Sequence, residues 1–399
     1  MTLQLIAGGR LLRVEGRQVV EVASSQGRSR DPAALHGAEI LPGRVCAHTH
    51  LYSGLASLGM PAPRPAPRTF LEILQRVWWR LDRALDFALL RAAARLYVAE
   101  SLLAGTTALV DHHESPEAIE ESLDVVAEAC ETLGIRALLC YGATERNGGR
   151  EEARRGLAES ARFARAHTTN RVRGLVGLHA SFTVSDETIR EAGALCRELC
   201  TALHVHVAEG LVDVEDAQAR GYPGPLERLR ALDAVAPGSI LAHGVHLDTS
   251  QVVRATRSKA WLVHNPRSNH GNRVGYASAL AGSERVALGT DGYPADLRVE
   301  VAAGRAEARA HGEDPTRIEE RLRAGHTLLQ EHFAQPFAPL APGTTADVVV
   351  QDGTGAVRHV AVDGRLVVRD GRLLTGDLDA IRAEAREAAQ RLWRRMGAF

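Results

Sequence analysis

Lysine is nearly absent from this 399-residue chain: Lys259 is the single one, and every other basic residue except histidine is arginine. Chemistry that needs a lysine Schiff base or a carboxylated lysine therefore has one candidate. Paired cysteines are missing too. The five present (Cys46, Cys130, Cys140, Cys196, Cys200) are odd in number and contain no C-x-x-C, which favours a reducing cytoplasm over a disulfide-built secreted scaffold. Net charge is only −1, so there is no electrostatic case for nucleic acid or a membrane surface. No apolar run approaches the roughly 20 residues of a membrane span. The stretch Met1 to Arg10 lacks the charged n-region and long apolar core of a signal peptide. There is no internal repeat and no low-complexity tail.

What is present is an ordinary globular composition, 45% hydrophobic and 24% charged, with length for a barrel of about 250 residues and a smaller second domain. Residues 1–40 read as short strands (Leu3–Ile6, Leu11–Val14, Val19–Val22) and a Ser/Gly/Arg-rich link. Apolar, β-branched runs then alternate with segments of helical period: Ile40–His48, Ala108–His112, Ile135–Tyr141, Leu175–His179, Leu203–His206, Ile240–His243, Trp261–His264 and Val286–Asp291. Helices are expected over Ala84–Leu103, Ala118–Leu133, Glu151–Ala166, Asp186–Leu199 and Leu226–Ala234, with starts marked by Ser115-Pro116 and Ser185-Asp186. Eight such units predict an α/β fold, a (β/α)8 barrel over 43–337. Strands near 342–369 return to pair with the N-terminal ones, giving a small β-sandwich from 1–42 and 338–376. Residues 297–333 read as helical, and 377–399 as a packing helix.

Seven of the eight runs end in His or Asp, and barrel strand ends converge on one face. His48 and His50, spaced i and i+2, point to one place. His206 ends the fifth run, and Glu209 follows in its loop. His204 shares the face of His206 one layer deeper and reads as a supporting or structural residue. Asp291 lies on the glycine-flanked end of the eighth run. Three histidines and one carboxylate suit a divalent ion that keeps room for water, the arrangement of a hydrolytic site. Asp291 can take a proton from that water and Glu209 can carry it to a leaving nitrogen. His243 either aims the water or serves as a further ligand. His179 stands where a bridging ligand would sit in a two-metal site, and Lys259 lies elsewhere, so one ion is expected; His₃Asp suits zinc or iron alike. His112, His113 and His264 are weaker candidates, one of the first two within reach of substrate, and Asn269 could close the site. The Pro-rich loop 59–68 leads to Trp78 and Trp79, which either pack a helix on the barrel or stack a planar ligand.

Taken together, His48-x-His50, His206-x-x-Glu209, Ala242-His243-Gly244-Val245-His246-Leu247, His264-Asn265-Pro266-x-Ser268-Asn269 and Gly289-Thr290-Asp291 resemble the amidohydrolase superfamily, in its mononuclear deaminase and chlorohydrolase branch. The resemblance spans the whole chain. It implies one metal ion, zinc or iron, on His48, His50, His206 and Asp291. It implies catalytic roles for Glu209, His243 and Asp291, with His179 at the substrate; Trp79, His113 and Asn269 are expected as further substrate contacts from their places in the chain. A closer likeness, to SsnA-type aminohydrolases, rests on His50–Leu55, Phe70–Leu74, Trp78–Arg83, Asp111-His112-His113-x-Ser115-Pro116 and Leu178–Thr183. That group is associated with purine catabolism. The expected function is hydrolytic deamination of a purine-like nitrogen heterocycle, with ring opening of a cyclic amide as the alternative. A cytoplasmic homodimer acting on a small molecule is implied. The chain departs from the family in a trimmed N-terminal sandwich and a shortened segment after Asp291.

Overall fold

The computed structural model describes residues 2–25 and 34–398. Most of the Ser/Gly/Arg-rich link falls outside them. The N-terminal strands Thr2–Ala7, Arg10–Glu15 and Gln18–Ser24 form an antiparallel meander, joined by Leu35–Gly37 parallel to the first. A second sheet runs Arg372–Leu373, Arg365–Arg369, Val357–Val362, Val348–Gln351 and Glu39–Pro42. Leu5, Leu12 and Val14 from the first sheet share one core with Ile40, Val348 and Val350 from the second, so the two chain ends build one apolar layer. Arg10–Glu15 buries one face only, whereas Val348–Gln351 is buried on both, Val348 and Val350 in this core and Val349 in the cluster shared with the barrel helices.

Eight parallel strands follow: β1 Arg44–Thr49, β2 Thr106–His113, β3 Arg136–Ala143, β4 Val176–Ala180, β5 Leu203–Val207, β6 Ile240–His243, β7 Trp261–His264 and β8 Val286–Leu288. They are paired in sequence order, and every residue of β2 and β3 is buried, as two-sided cover by helices requires. The ring is completed where the amides of Thr290 and Asp291 donate to the His48 carbonyl at 2.9 and 3.1 Å. Gly289 permits that approach, since a Cβ there would stand 2.8 Å from the same carbonyl. The chain is thus an α/β barrel with appended sheets from both ends.

The first apolar run is not one strand. Glu39–Pro42 belongs to the terminal sheet and Arg44–Thr49 to the barrel. Gly43 turns the chain between them against Thr107, whose side chain leaves no space for a Cβ. Ser115 does not cap a helix. Its hydroxyl donates to Ala118 O, and the helix begins at Ser122 after Glu121 takes a left-handed φ of 64°. Ser185 does cap Asp186–Glu198, and Asp86 caps Phe87–Leu103 at Leu89 N. Residues 297–333 divide into Leu297–Ala310 and Arg317–Phe333. The terminal helix Leu378–Met396 buries Ile381, Ala385, Ala388, Ala389 and Leu392 and packs on Phe87–Leu103.

Arg136, fully buried at the start of β3, makes a two-pronged bond to Asp347 (2.9 and 3.0 Å) and stacks over the Phe333 and Phe337 rings. This pair joins the barrel floor to the terminal sheet. Asp347→Ala removes the two-pronged partner of a buried guanidinium and leaves it only Asp363 at 3.3 Å and the Asn170 carbonyl, and we expect a loss of about 3 kcal/mol, read by urea denaturation. A loss within the error of the method would show that water replaces the carboxylate there.

Candidate metal centre and active site

The side chains of His48, His50, His206 and Asp291 come together at the C-terminal mouth of the barrel, their ligand atoms all within 4.8 Å of one another. The backbone around them fixes which nitrogen faces inward. His50 Nδ1 donates to His112 O at 2.5 Å and His206 Nδ1 to His179 O at 2.6 Å. A carbonyl can only accept, so in both rings Nε2 is the inward nitrogen. These two Nε2 atoms stand 3.3 Å apart. Asp291 Oδ1 lies 2.8 Å from His50 Nε2 and 3.2 Å from His48 Nε2. Four acceptors converging in this way call for a shared cation, and the donor set is that of a borderline divalent ion. The charge balance agrees. Burial lowers His48 to about 3 and holds His206 well below the usual histidine range. Burial opposes a charge on His50 as well, but Asp291 outweighs it and lifts that ring to about 9.

Next to this cluster lies a second group, Glu209, His243 and Asp291, also within 4.8 Å. His243 Nδ1 meets Asn269 Oδ1 at 2.9 Å, which makes Nδ1 the donor and leaves Nε2 as an acceptor, 3.5 Å from Glu209 Oε2. Nε2 is buried and has no hydrogen-bond partner. Asn272 donates to Glu209 Oε1 at 3.1 Å and to Ser268 Oγ at 3.2 Å, and Ser268 Oγ donates to Asp291 Oδ2. Burial is the main influence on Glu209 and pushes its carboxyl up to about 7, with His243 opposing. A carboxyl poised there can hold and release a proton near neutrality. The backbone is bent to present these groups: Ala208, His243 and Asp291 have φ of 50°, 74° and 51°, left-handed values that non-glycine residues adopt only where the surroundings impose them.

Comparison with known proteins agrees with this geometry. The amidohydrolase family matches residues 40–367. The chain belongs to the amidohydrolase family. It is 28% identical over 391 residues to a 5'-deoxyadenosine deaminase of Methanopyrus kandleri, covering 88% of this chain and 86% of that one. It is 30% identical over 308 residues to an 8-oxoguanine deaminase of Pseudomonas aeruginosa, covering 72% and 68%. Its fold is that of a zinc-bound adenosine deaminase from Xanthomonas campestris, with a TM-score of 0.79 at 20% identity over 98% and 97% of the two chains.

In this amidohydrolase a cavity lies over the cluster, bounded by His50, His206, Glu209 and Asp291. Phe70, Trp78, Trp79 and Phe182 supply flat apolar walls. Trp78 and Trp79 stand where a π-helical turn, Leu74–Trp78, meets the next helix. Trp79 stacks on Arg146 at 4.8 Å, and its Nε1 has no hydrogen-bond partner. His179 lines the cavity, whereas His113 and Asn269 do not: His113 Nε2 bonds Ser115 Oγ at 2.8 Å, and Asn269 stands behind His243. His112 spans the barrel to Leu178 O at 2.9 Å, and His264 is tied to Arg321 at 2.9 Å.

Glu114, Arg146, Asp82 and Asn272 are residues of the site that were not expected from sequence. Glu114, the unspecified position between His113 and Ser115, lines the cavity. Its Oε2 accepts from Arg146 Nη2 at 2.7 Å, and the same nitrogen donates to Asp82 at 2.8 Å. Burial raises Asp82 to about 6, whereas Glu114 is held well below the usual carboxylate range because the Arg146 guanidinium against it outweighs the cost of its burial. The only local hint of Glu114 is its place directly after the histidines ending β2.

His204, one layer below the cluster, accepts from His48 Nδ1 at 2.9 Å and passes its own Nδ1–H toward Cys140 Sγ at 3.6 Å. It sets the tautomer of His48. His204→Leu should weaken metal affinity about 10–100-fold, measured by competition with a chromophoric chelator. Unchanged affinity would remove His204 from that role.

Proposed function

We propose that this amidohydrolase removes an exocyclic amino group from a purine-like nitrogen heterocycle by hydrolysis, with one zinc ion held by His48, His50, His206 and Asp291. The reading is carried by one observation: a buried carboxyl outside the ligand set, Glu209, stands beside His243 and Asp291 at the edge of the ligand cluster and lines the cavity. A purely structural metal site has no use for that proton store. When bound, the ion supplies Lewis-acid activation of water at neutral pH. Asp291 accepts the water proton. His243 Nε2, an acceptor aimed into the site, orients the remaining O–H. Glu209 gives a proton to the substrate nitrogen and takes up the one released, so that water's oxygen replaces nitrogen and ammonia leaves. Trp79 and His179 contact the heterocycle, Asn269 holds the tautomer of His243, and His113 supports the wall behind Glu114.

The relatives named above deaminate purine derivatives, which supports this substrate class. The same donors would also bind iron. We place the chain among SsnA-type aminohydrolases on the stretches quoted for that likeness, as a cytoplasmic homodimer, divided into a composite sandwich (1–42 and 338–376), the barrel (43–337) and a terminal helix (377–399). No helix among the described residues is long and apolar enough to cross a membrane.

The test is ammonia release by the zinc-loaded protein across purines, pyrimidines, aminotriazines and imidazolones, with Glu209→Gln as the blank. Ammonia from one amino-heterocycle class is the expected result. Loss of ring absorbance without ammonia would replace deamination by ring opening.

A further inference from the structure

Across the metal cluster from Glu209, the cavity is bounded by two hydrogen-bond acceptors that face each other with no hydrogen between them. His179 Nδ1 lies 3.0 Å from Thr183 Oγ1, and the single hydroxyl hydrogen of Thr183 goes to Ala180 O at 3.0 Å. His179 Nδ1 is therefore the donor, and its Nε2 presents a lone pair to the cavity. That Nε2 is 3.8 Å from Glu114 Oε2. Glu114 is 2% exposed and paired with Arg146, which keeps it an anion, and a carboxylate has about four acceptor positions. Arg146 occupies one, and His112 approaches Oε1 only at 3.4 Å. The rest remain available to whatever fills the cavity.

The place of this pair matters as much as its chemistry. A carboxylate oxygen of Glu114 and one ring nitrogen each of His179 and His206 lie within 4.8 Å of one another. A substrate atom that meets Glu114 is thus close to the atom attacked at the metal cluster. No arginine or lysine lines the cavity among the described residues, so nothing there favours an anionic substrate. The reacting carbon is flanked on one side by Glu209, able to donate a proton to a ring nitrogen, and on the other by an acceptor wall.

We propose that Glu114 and His179 select a heterocycle carrying an N–H beside the reacting carbon: the N=C(NH2)–NH unit of guanine-type purines and isocytosine, in preference to the N=C(NH2)–C unit of adenine-type rings. This rests on the deaminase reading of the same site and names its substrate class. The bare ring nitrogen faces Glu209, the N–H donates to Glu114, and the amino group between them leaves as ammonia while water's oxygen becomes the carbonyl. An adenine-type ring brings no N–H to that wall, and the acceptor positions of Glu114 that Arg146 does not fill lose water without gaining a donor.

The test compares isocytosine with 2-aminopyrimidine, and guanine with 2-aminopurine, with adenine as the N=C(NH2)–C ring, on the zinc-loaded full chain. Binding is read by calorimetry and ammonia by coupled assay. The wild type should bind the N–H member of each pair at least about 10-fold more tightly, as expected for a hydrogen bond to a charged group. Glu114→Gln, checked for zinc content and melting temperature, should bring each ratio near unity. Equal binding within the pairs by the wild type overturns the proposal even if the variant does not fold, as does a ratio unchanged in a folded variant. Ammonia from adenine-type rings alone overturns it and leaves the deaminase reading standing. N–H-dependent binding with no ammonia from any compound supports the acceptor wall and overturns the deaminase reading.

Discussion

Glu209→Gln should reduce turnover about 10²–10⁴-fold while the protein keeps a full metal complement. The substitution retains the shape of the side chain, and its amide can still accept from Asn272, which now meets Glu209 Oε1 at 3.1 Å. What it removes is the exchangeable proton. Glu209 does not belong to the four-residue ligand cluster, so elemental analysis should find the ion undiminished. In the wild type, burial holds the carboxyl near neutrality, where proton donation and recovery are balanced. The loss should therefore fall on kcat more than on KM, because proton transfer is felt in the transition state and little in substrate binding. A variant with near-normal kcat would remove Glu209 from the proton path. A variant without metal would make it a ligand.

The parts of this site legible in the sequence are those whose geometry is local. His48 and His50 are two residues apart on a strand, so their convergence follows from strand periodicity alone. His206 and Asp291 become legible once eight strands are assigned, because a barrel brings all its strand ends to one rim. Even there the local pattern overreached. The run ending at Asp291 reads as one strand, but the ladder stops at Leu288, and Gly289 to Asp291 turn in to bond β1. The run from Ile40 to His48 likewise hides a change of sheet at Gly43. The acceptor wall had no such signature. Asp82 comes from the segment after β1, Glu114 from the end of β2 and Arg146 from beyond β3, and only the closed ring brings one guanidinium against two carboxylates. Asn272, which links Glu209 to Ser268, sits just past a six-residue helix whose position depends on β7. No spacing rule reaches across such separations.

His206→Ala tests the other half of the site, and its expected outcome is the opposite of the Glu209 variant in the readout that matters. It removes one of three inward imidazoles, and the neighbouring rings are anchored away from the cluster through one nitrogen each, His112 Nε2 on Leu178 O and His179 Nδ1 on Thr183. Metal affinity should fall by more than the roughly 10–100-fold that loss of an outer partner costs, so that dialysed protein carries little zinc and little activity. Stability supplies an independent check. An ion that binds only the folded chain stabilises it in proportion to the logarithm of its occupancy. Chelation should lower the melting temperature of the wild type and of Glu209→Gln, and leave that of His206→Ala unmoved. If His206→Ala keeps its zinc and still responds to chelator, the ion is held elsewhere, and the assignment built on the convergence of His50 and His206 fails. If all three proteins ignore the chelator, the cluster holds no ion in solution, and the metal assignment fails.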